Sequence, residues 1–360
     1  MENGAKLAVE AKGGKIGNYT IKYVPLDDSL ASSGAADEGK AAQNARKAVQ
    51  DKTTAGYMGE YNSGISKVTI PILNKAGIGQ ISPANTYVGL TTNEPGSEPG
   101  EPQKYYPART RTYARVVPKD TIQGAALATS AKDDGCKSIH IWNSQTTYSA
   151  GLARNVQMSA EKLGLTVEGN DGIDPKAPNY RSLAAKIKAD CFIFTGEIES
   201  NGIQALKDAA AVVKGGLYGG DGIVLNDTAN PKKGLPADVG ARFKGTIATL
   251  DPAEFGPEGK KFFADYTAKY GGGQPDPYAI YGYEAMALLL DSMDRDAKAN
   301  GGKISRAGVV KQIFATKGRN SVLGTYDIDK NGDTTLTDYG LYKIANGKLA
   351  FDKVIKAQTG

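Results

Sequence analysis

Histidine is nearly missing from this chain: His140 is the sole imidazole in 360 residues. A single imidazole excludes a histidine-rich metal cluster, and an ordinary Ser-His-Asp triad would have to be built on His140. His140 lies inside Ser138-Ile139-His140-Ile141-Trp142, a strand-like run where a packed, satisfied ring is expected. Long apolar runs are missing too, and no segment approaches the roughly 18 residues that a membrane-spanning helix requires. The excess of one charge sign is small, 44 Lys and Arg against 39 Asp and Glu, and the charges are interspersed. That balance gives no support to nucleic-acid binding. Gly13-Gly14-Lys15-Ile16-Gly17 lacks the spacing of a dinucleotide-binding loop and precedes a strand-like run instead of following one. Catalysis would have to use carboxylates or lysines alone, and no pair stands out, so no enzyme activity and no cofactor is expected. The only two cysteines, Cys136 and Cys191, each precede a strand-like run. If those strands are neighbours in a parallel sheet, a disulfide is geometrically possible; two buried free thiols are the competing reading.

What is present is an α/β pattern. A chain of this length with 40% hydrophobic content can bury sizeable cores, and length alone suggests two domains. Tyr19 to Val24, Ser138 to Trp142, Leu165 to Gly169, Phe192 to Gly196 and Gly216 to Tyr218 read as strands. Helical stretches such as Ala35 to Lys52, Tyr148 to Leu163 and Ser182 to Lys188 separate them. Such alternation argues parallel sheets with helices on both faces. The Pro-, Gly- and Glu-rich run between Thr92 and Tyr105 reads as a loop with no core of its own. Asp327-Ile328-Asp329-Lys330-Asn331-Gly332-Asp333, continuing to Asp338, nearly satisfies a calcium-loop pattern. Its flanks read as strands and Asn331-Gly332 is a hairpin turn signal, so a turn is expected and a metal site is not.

The stretch from Gly59 to Thr92 is the most telling. Gly56 to Gly59 and Ile78 to Ile81 read as short buried strands, with Ile65, Val68, Ile72 and Leu73 at helical spacing between them. Ser63 therefore stands where a strand hands over to a helix. A helix N-terminus leaves N–H groups unpaired and carries partial positive charge, so Ser63 and Gly64 form a place for a carboxylate or phosphate. Ser82-Pro83-Ala84-Asn85-Thr86 lies at the carboxyl end of the next strand, where parallel sheets open onto ligands. Ala84 can offer its carbonyl, and Thr86 a hydroxyl and an N–H. Read singly, the same residues are also ordinary N-caps and turns.

This stretch resembles the first-lobe ligand site of the branched-chain amino acid substrate-binding proteins of ABC transporters, the Leu/Ile/Val-type periplasmic binding proteins. The resemblance runs from Gly4-Ala5-Lys6-Leu7-Ala8-Val9 through Tyr278-Ala279-Ile280-Tyr281-Gly282-Tyr283-Glu284-Ala285-Met286 to the closing hairpin. It implies a two-lobed periplasmic-binding-protein type I fold, each lobe a parallel sheet with helices on both faces, joined by three hinge crossings. Residues 1–117 and 251–322 are expected in lobe 1, and 118–250 and 323–360 in lobe 2. The implied ligand set is Ser63, Ala84, Asn85 and Thr86 from lobe 1, with Tyr148, Glu197 and Asp221 from lobe 2. Tyr278 lines the pocket, and Tyr61 could do the same. Ser63 and Thr86 would hold a carboxylate, the Ala84 carbonyl and Asp221 an ammonium, and Tyr148 would cover the ligand. A charge-assisted bond such as that to Asp221 is worth roughly 1.5–3 kcal/mol net. Glu197 stands where related leucine-type binders have an aromatic residue, so either a ligand offers it a cation or donors, or it turns outward to solvent.

The function implied is extracytoplasmic, periplasmic or cell-surface, capture of an amino acid or related small polar solute in an interlobe cleft. The bound solute would be delivered to an ABC transporter permease by a monomer. The alternative is a ligand-sensing domain of a receptor or regulator using the same cleft. Met1 to Glu10 resembles the family's first helix, so a preceding first strand of lobe 1 is expected to be missing, and no signal peptide is apparent.

Overall fold

The computed structural model describes residues 1–31, 34–272 and 275–357. Helix α1 (Glu2–Ala11) is followed by the two-residue strands β1 (Lys15–Ile16) and β2 (Tyr19–Thr20), an antiparallel hairpin turned at Gly17, where φ is 54°. The strand expected over Tyr19 to Val24 ends at Thr20. Helix α2 (Glu38–Gln50) starts on Asp37, whose carboxylate accepts the Lys40 N–H at 2.8 Å. Its buried stripe of Ala41, Ala45 and Ala48 follows the helical repeat. Strand β3 (Gly56–Met58), helix α3 (Ser63–Lys75), strand β4 (Gly79–Ser82) and strand β5 (Tyr113–Arg115) complete this region, the strands pairing in parallel in the order β3-β4-β5.

The chain continues through α4 (Asp120–Asp133), β6 (Ser138–Asn143), α5 (Thr147–Lys162), β7 (Thr166–Gly172), α6 (Arg181–Ala184) and β8 (Cys191–Phe194). Then come α7 (Gly202–Ala210), β9 (Leu217–Gly219), α8 (Ala237–Gly240) and β10 (Phe243–Ile247). After α9 (Pro257–Tyr270), α10 (Ala279–Ala299), α11 (Arg306–Phe314) and the hairpin β11 (Arg319–Ser321) with β12 (Gly324–Tyr326), it ends in β13 (Tyr339–Ala345) and β14 (Lys348–Ile355). Among the described residues no helix is long and apolar enough to cross a membrane.

Two compact units result. The first comprises Met1–Asn93, Ser97–Pro118 and Pro252–Leu336; the second comprises Glu94–Gly96, Lys119–Asp251 and Thr337–Gly360. In the first, α10 and α11 cover one face of the sheet: a Cβ on Gly56 would meet Leu289 at 2.5 Å, and one on Gly79 would meet Ile313 at 2.7 Å. On the other face α2 and α3 enclose Tyr57, Leu73 and Ile78. The second unit has one seven-stranded sheet, β14-β13-β10-β9-β8-β6-β7. Its run from β7 to β10 is parallel, whereas β13 and β14 are antiparallel, so this lobe's sheet is mixed at one edge. Period-two alternation sorts its side chains: Ile139, Ile141 and Ile193 face α4 and α5, while Trp142 and Phe192 stack edge-on at 5.0 Å with the opposite set.

Residues 323–336 were expected in the second lobe and belong to the first. Polar contacts inside that unit hold them. Tyr326 donates to Glu284 Oε1 at 2.6 Å, and Arg115, buried on β5, donates from its backbone N–H to Gly332 O and from Nε to Asp333. The Asp327–Asp333 segment is the turn its Asn-Gly pair predicts. Its carboxylates serve different protein donors: Asp327 takes the Gly318 N–H, Asp329 those of Asn331 and Asp333, and Asp333 the Arg115 guanidinium. The loop between Thr92 and Tyr105 also departs from expectation. Glu101 is buried and accepts from Tyr87 and Tyr105 hydroxyls at 2.6 and 2.5 Å, while Tyr105 joins a core cluster with Ile70 and Tyr113. A run rich in proline and glycine conceals these two anchors in its composition. Cys136 and Cys191 form a disulfide, with Cα atoms 6.0 Å apart at the starts of the adjacent strands β6 and β8. His140 is buried, its Nε2 lying 2.8 Å from Asp171 Oδ2.

Candidate functional site

In the first unit, three parts of the sequence bring ligand-type groups together. Asn62 caps α3 through its backbone carbonyl, which accepts the Ile65 and Ser66 N–H groups, and its side chain makes no capping bond. The N–H groups of Ser63 and Gly64 consequently have no acceptor among the described residues. These are the free donors that a helix N-terminus offers an anion. Ser63, 3% exposed, receives the Tyr87 N–H on its hydroxyl at 3.5 Å, which ties the 82–87 turn to the helix start. Thr86, next in chain to that tie, is 1% exposed and its hydroxyl has no partner among the described residues. A buried hydroxyl left unpaired costs about 1–3 kcal/mol, so the fold retains Thr86 at a loss that a ligand acceptor would recover. Ala84 lies buried in the same turn. Tyr278 is buried, with its ring edge-on to Tyr61 at 6.0 Å and to Tyr281 at 5.6 Å, so the two aromatic residues expected to line a pocket do adjoin.

The Asn85 side chain, expected in the ligand set, is engaged within its own unit. Its amide donates to Glu60 O at 3.1 Å and Tyr61 O at 2.8 Å, and its carbonyl accepts from the Ser66 hydroxyl and from Tyr113 at 3.0 Å. All four bonding positions of the carboxamide are used within the fold. Asn85 thus braces the turn that displays Thr86.

The second unit contributes Tyr148 and Asp221. Thr146 caps α5 by accepting the Ser149 N–H at 3.2 Å, which places Tyr148 in the first helical turn. Its hydroxyl donates to Asp221 Oδ1 at 2.6 Å and accepts the Gly222 N–H at 3.3 Å. Glycine is needed on the turn opposite, because a Cβ on Gly220 would lie 2.4 Å from the Tyr148 hydroxyl. Burial, then the Asp221 charge, push the Tyr148 phenol well above its ordinary value, so it stays a donor. Asp221 is 5% exposed. A carboxylate in a buried setting attracts a cationic group more strongly than an exposed one does.

Glu197 follows neither course expected of it. It is buried, accepting from Thr146 at 2.6 Å, Ser144 at 2.7 Å and Ser200 at 3.0 Å. Three hydroxyls of its own unit supply what a ligand cation or solvent was expected to supply. Burial still raises its carboxyl above the ordinary range, with those bonds opposing the rise. The hydroxyl-rich run Ser144-Gln145-Thr146 was the signal for this arrangement.

The sequence profile of the periplasmic binding proteins matches residues 1–348. This chain belongs to the periplasmic binding protein family. Leu/Ile/Val-binding protein homolog 2 of Brucella abortus (strain 2308) is 25% identical to it over 356 residues, covering 97% of this chain and 86% of that one. An amino acid binding protein of Pseudomonas aeruginosa is 23% identical over 342 residues, covering 93% and 82%. Among solved structures, a leucine-binding protein of Thermotoga maritima superposes with a TM-score of 0.82 at 24% identity, covering 98% of this chain and 93% of that one. A solute-binding protein of an ABC transporter from R. palustris, in complex with benzoate, gives 0.75 at 20% identity, covering 98% and 90%. At these identities the structures establish the fold, the two-lobed type I architecture. Members of the family are extracytoplasmic, non-enzymatic ligand binders, and this periplasmic binding protein is a solute binder, not a catalyst.

Beneath the first-unit turn, this binding protein carries a polar layer that hydrophobic periodicity did not reveal. Helix α3 buries Ser66, Thr69 and Asn74 along with Ile65, Ile70 and Leu73, while Val68 and Ile72 are only half-buried. Gln80 donates to Gly59 O at 3.0 Å and Thr69 at 3.1 Å, and Ser82 donates to Glu60 O at 2.9 Å. Glu60 accepts the Tyr57 hydroxyl at 2.7 Å, and burial pushes its carboxyl up to about 7.

Proposed function

We propose that this periplasmic binding protein captures a free amino acid outside the cytoplasm and, as a monomer, hands it to an ABC importer. The first unit supplies groups suited to a carboxylate, at the Ser63 and Gly64 N–H groups and the Thr86 hydroxyl and N–H, and the Ala84 carbonyl for an ammonium. The second unit supplies Asp221 for an ammonium, with Tyr148 positioning that carboxylate. The observation that carries the reading is the buried Thr86 hydroxyl without a partner, beside a helix N-terminus whose first donors are unused. The Leu/Ile/Val-binding names of the relatives make aliphatic amino acids the first candidates. Tyr278 and Tyr61 would then pack against the solute. The buried carboxylate of Asp221 favours an amino acid over an aromatic acid such as the benzoate held by the R. palustris protein.

Isothermal titration with L-leucine, L-isoleucine, L-valine and benzoate tests this, on the parent and on Asp221→Ala. Binding of at least one of the amino acids, lost in Asp221→Ala, supports the reading. Tight binding of benzoate alone, or amino-acid affinity indifferent to Asp221→Ala, overturns it. Delivery is tested separately, by solute-stimulated ATP hydrolysis of the cognate transporter in liposomes; no stimulation by the loaded protein sinks that step.

A further inference from the structure

The Asp327–Asp333 turn, whose sequence imitates a calcium loop, ends against Arg115, and Arg115 ends against the residues on both sides of Thr86. Arg115 is fully buried, and its Nη1 donates to Asn85 O at 3.0 Å and Tyr87 O at 2.8 Å. Nη2 donates to Thr91 Oγ1 at 2.5 Å, and Nε donates to Asp333 Oδ1 at 2.7 Å. Asp333 is itself fixed by the turn: its N–H reaches Asp329 Oδ1 at 2.9 Å, and its carbonyl accepts the Asp329 N–H at 2.8 Å. Gly332 makes the approach possible. Its φ is 97°, and a Cβ there would lie 2.2 Å from Tyr113 O.

We propose that Arg115, held by Asp333, is a positioning residue for Thr86. Two carbonyls flanking one residue are clamped by a single rigid guanidinium nitrogen, so the orientation of the intervening peptide units is set from behind. The donors of Thr86 are left to face a ligand. The inference rests on the reading of Thr86 as a carboxylate donor, and goes beyond it in assigning the device that aims the donor. Lysine at position 115 would keep the charge but lose the fork that reaches both carbonyls and Asp333 together. Arg115→Lys, and the milder Asp333→Asn, test the assignment alone and combined with Thr86→Val. Titration with L-leucine is one readout, and the 15N order parameter of residue 86 in the ligand-free protein is the other. The expected result is an affinity loss of about 10-fold in the single variants and a smaller one, about 3-fold, in the Thr86→Val background, which keeps only the N–H donor. The Thr86 order parameter falls from about 0.85 to below about 0.7. Equal losses with and without the Thr86 hydroxyl, or an unchanged order parameter in both variants, overturn the assignment, because a merely structural role would act independently of Thr86. If Thr86→Val leaves L-leucine affinity unaltered, or if L-leucine does not bind the parent, the carboxylate reading loses its support. The order parameter then decides the positioning by itself.

Discussion

Replacing Thr86 by valine should move folding stability and ligand affinity in opposite directions. Valine has nearly the shape of threonine and exchanges the hydroxyl for a methyl group. The Thr86 hydroxyl is buried, at 1% exposure, and unpartnered among the described residues. Removing it takes away a desolvation cost of about 1–3 kcal/mol, so the ligand-free protein should become more stable by about 1 kcal/mol or more. The same change deletes one hydrogen bond to a carboxylate, worth roughly 1.5–3 kcal/mol, or about a 10- to 150-fold rise in Kd. Urea unfolding of the ligand-free protein and isothermal titration with the amino acid that binds the parent measure the two terms separately. A residue placed for packing alone would lose stability and leave affinity unchanged. An affinity within about 2-fold of the parent, or a ligand-free stability lowered by more than about 1 kcal/mol, refutes the reasoning.

Three further outcomes are expected. Tyr148→Phe removes one donor to Asp221 and should weaken amino-acid binding about 5- to 10-fold, whereas Asp221→Ala should weaken it more than about 100-fold; titration showing equal losses would contradict the division of roles. The Glu60 carboxyl is raised to about 7 in the folded protein, above its ordinary 4.5. Its contribution to stability is therefore full below pH 4.5 and lost as pH rises through about 7. Denaturant curves should show the parent falling relative to Glu60→Gln by on the order of 3 kcal/mol between pH 4.5 and pH 8, and parallel pH profiles would show that Glu60 does not titrate there. Reducing the Cys136–Cys191 bond, or replacing both cysteines by serine, opens a closed loop of sequence separation 55. Chain entropy makes that a loss of about 4 kcal/mol, read as a lower urea midpoint under reductant; an unmoved midpoint rejects the estimate.

The legible parts were those governed by period and by chain chemistry. The run Ser63 to Lys75 and the flanking glycine-rich strands announced a strand–helix–strand unit, and it is there as β3, α3 and β4. Ser63 was legible as a helix-start residue because a strand-to-helix junction exposes N–H groups wherever it occurs, and α3 does begin there. The internal partners of Glu197 and Asn85 were not legible, for one reason. Each residue is polar and stands in a turn of the ligand-binding type, but the Ser144 and Thr146 hydroxyls on Glu197 and the Glu60 and Tyr61 carbonyls on Asn85 come from segments that spacing cannot bring together. The buried Ser66, Thr69 and Gln80 layer was hidden similarly, since polar residues on a helix face read as solvent-facing. The boundary placed near Leu323 failed because Arg115 and Asp333 pair across 218 residues, a contact no local pattern encodes.

Thermal shift gives the plainest measure of whether the protein captures a solute bearing both a carboxylate and an ammonium. The twenty L-amino acids would each be run beside the matching amine without a carboxylate and the matching acid without an amine. At least one amino acid should raise the melting temperature while neither of its truncated counterparts does so at the same concentration. Stabilisation by the truncated acid equal to that of the amino acid would contradict the role of Asp221, and stabilisation by the truncated amine would contradict that of Ser63 and Thr86.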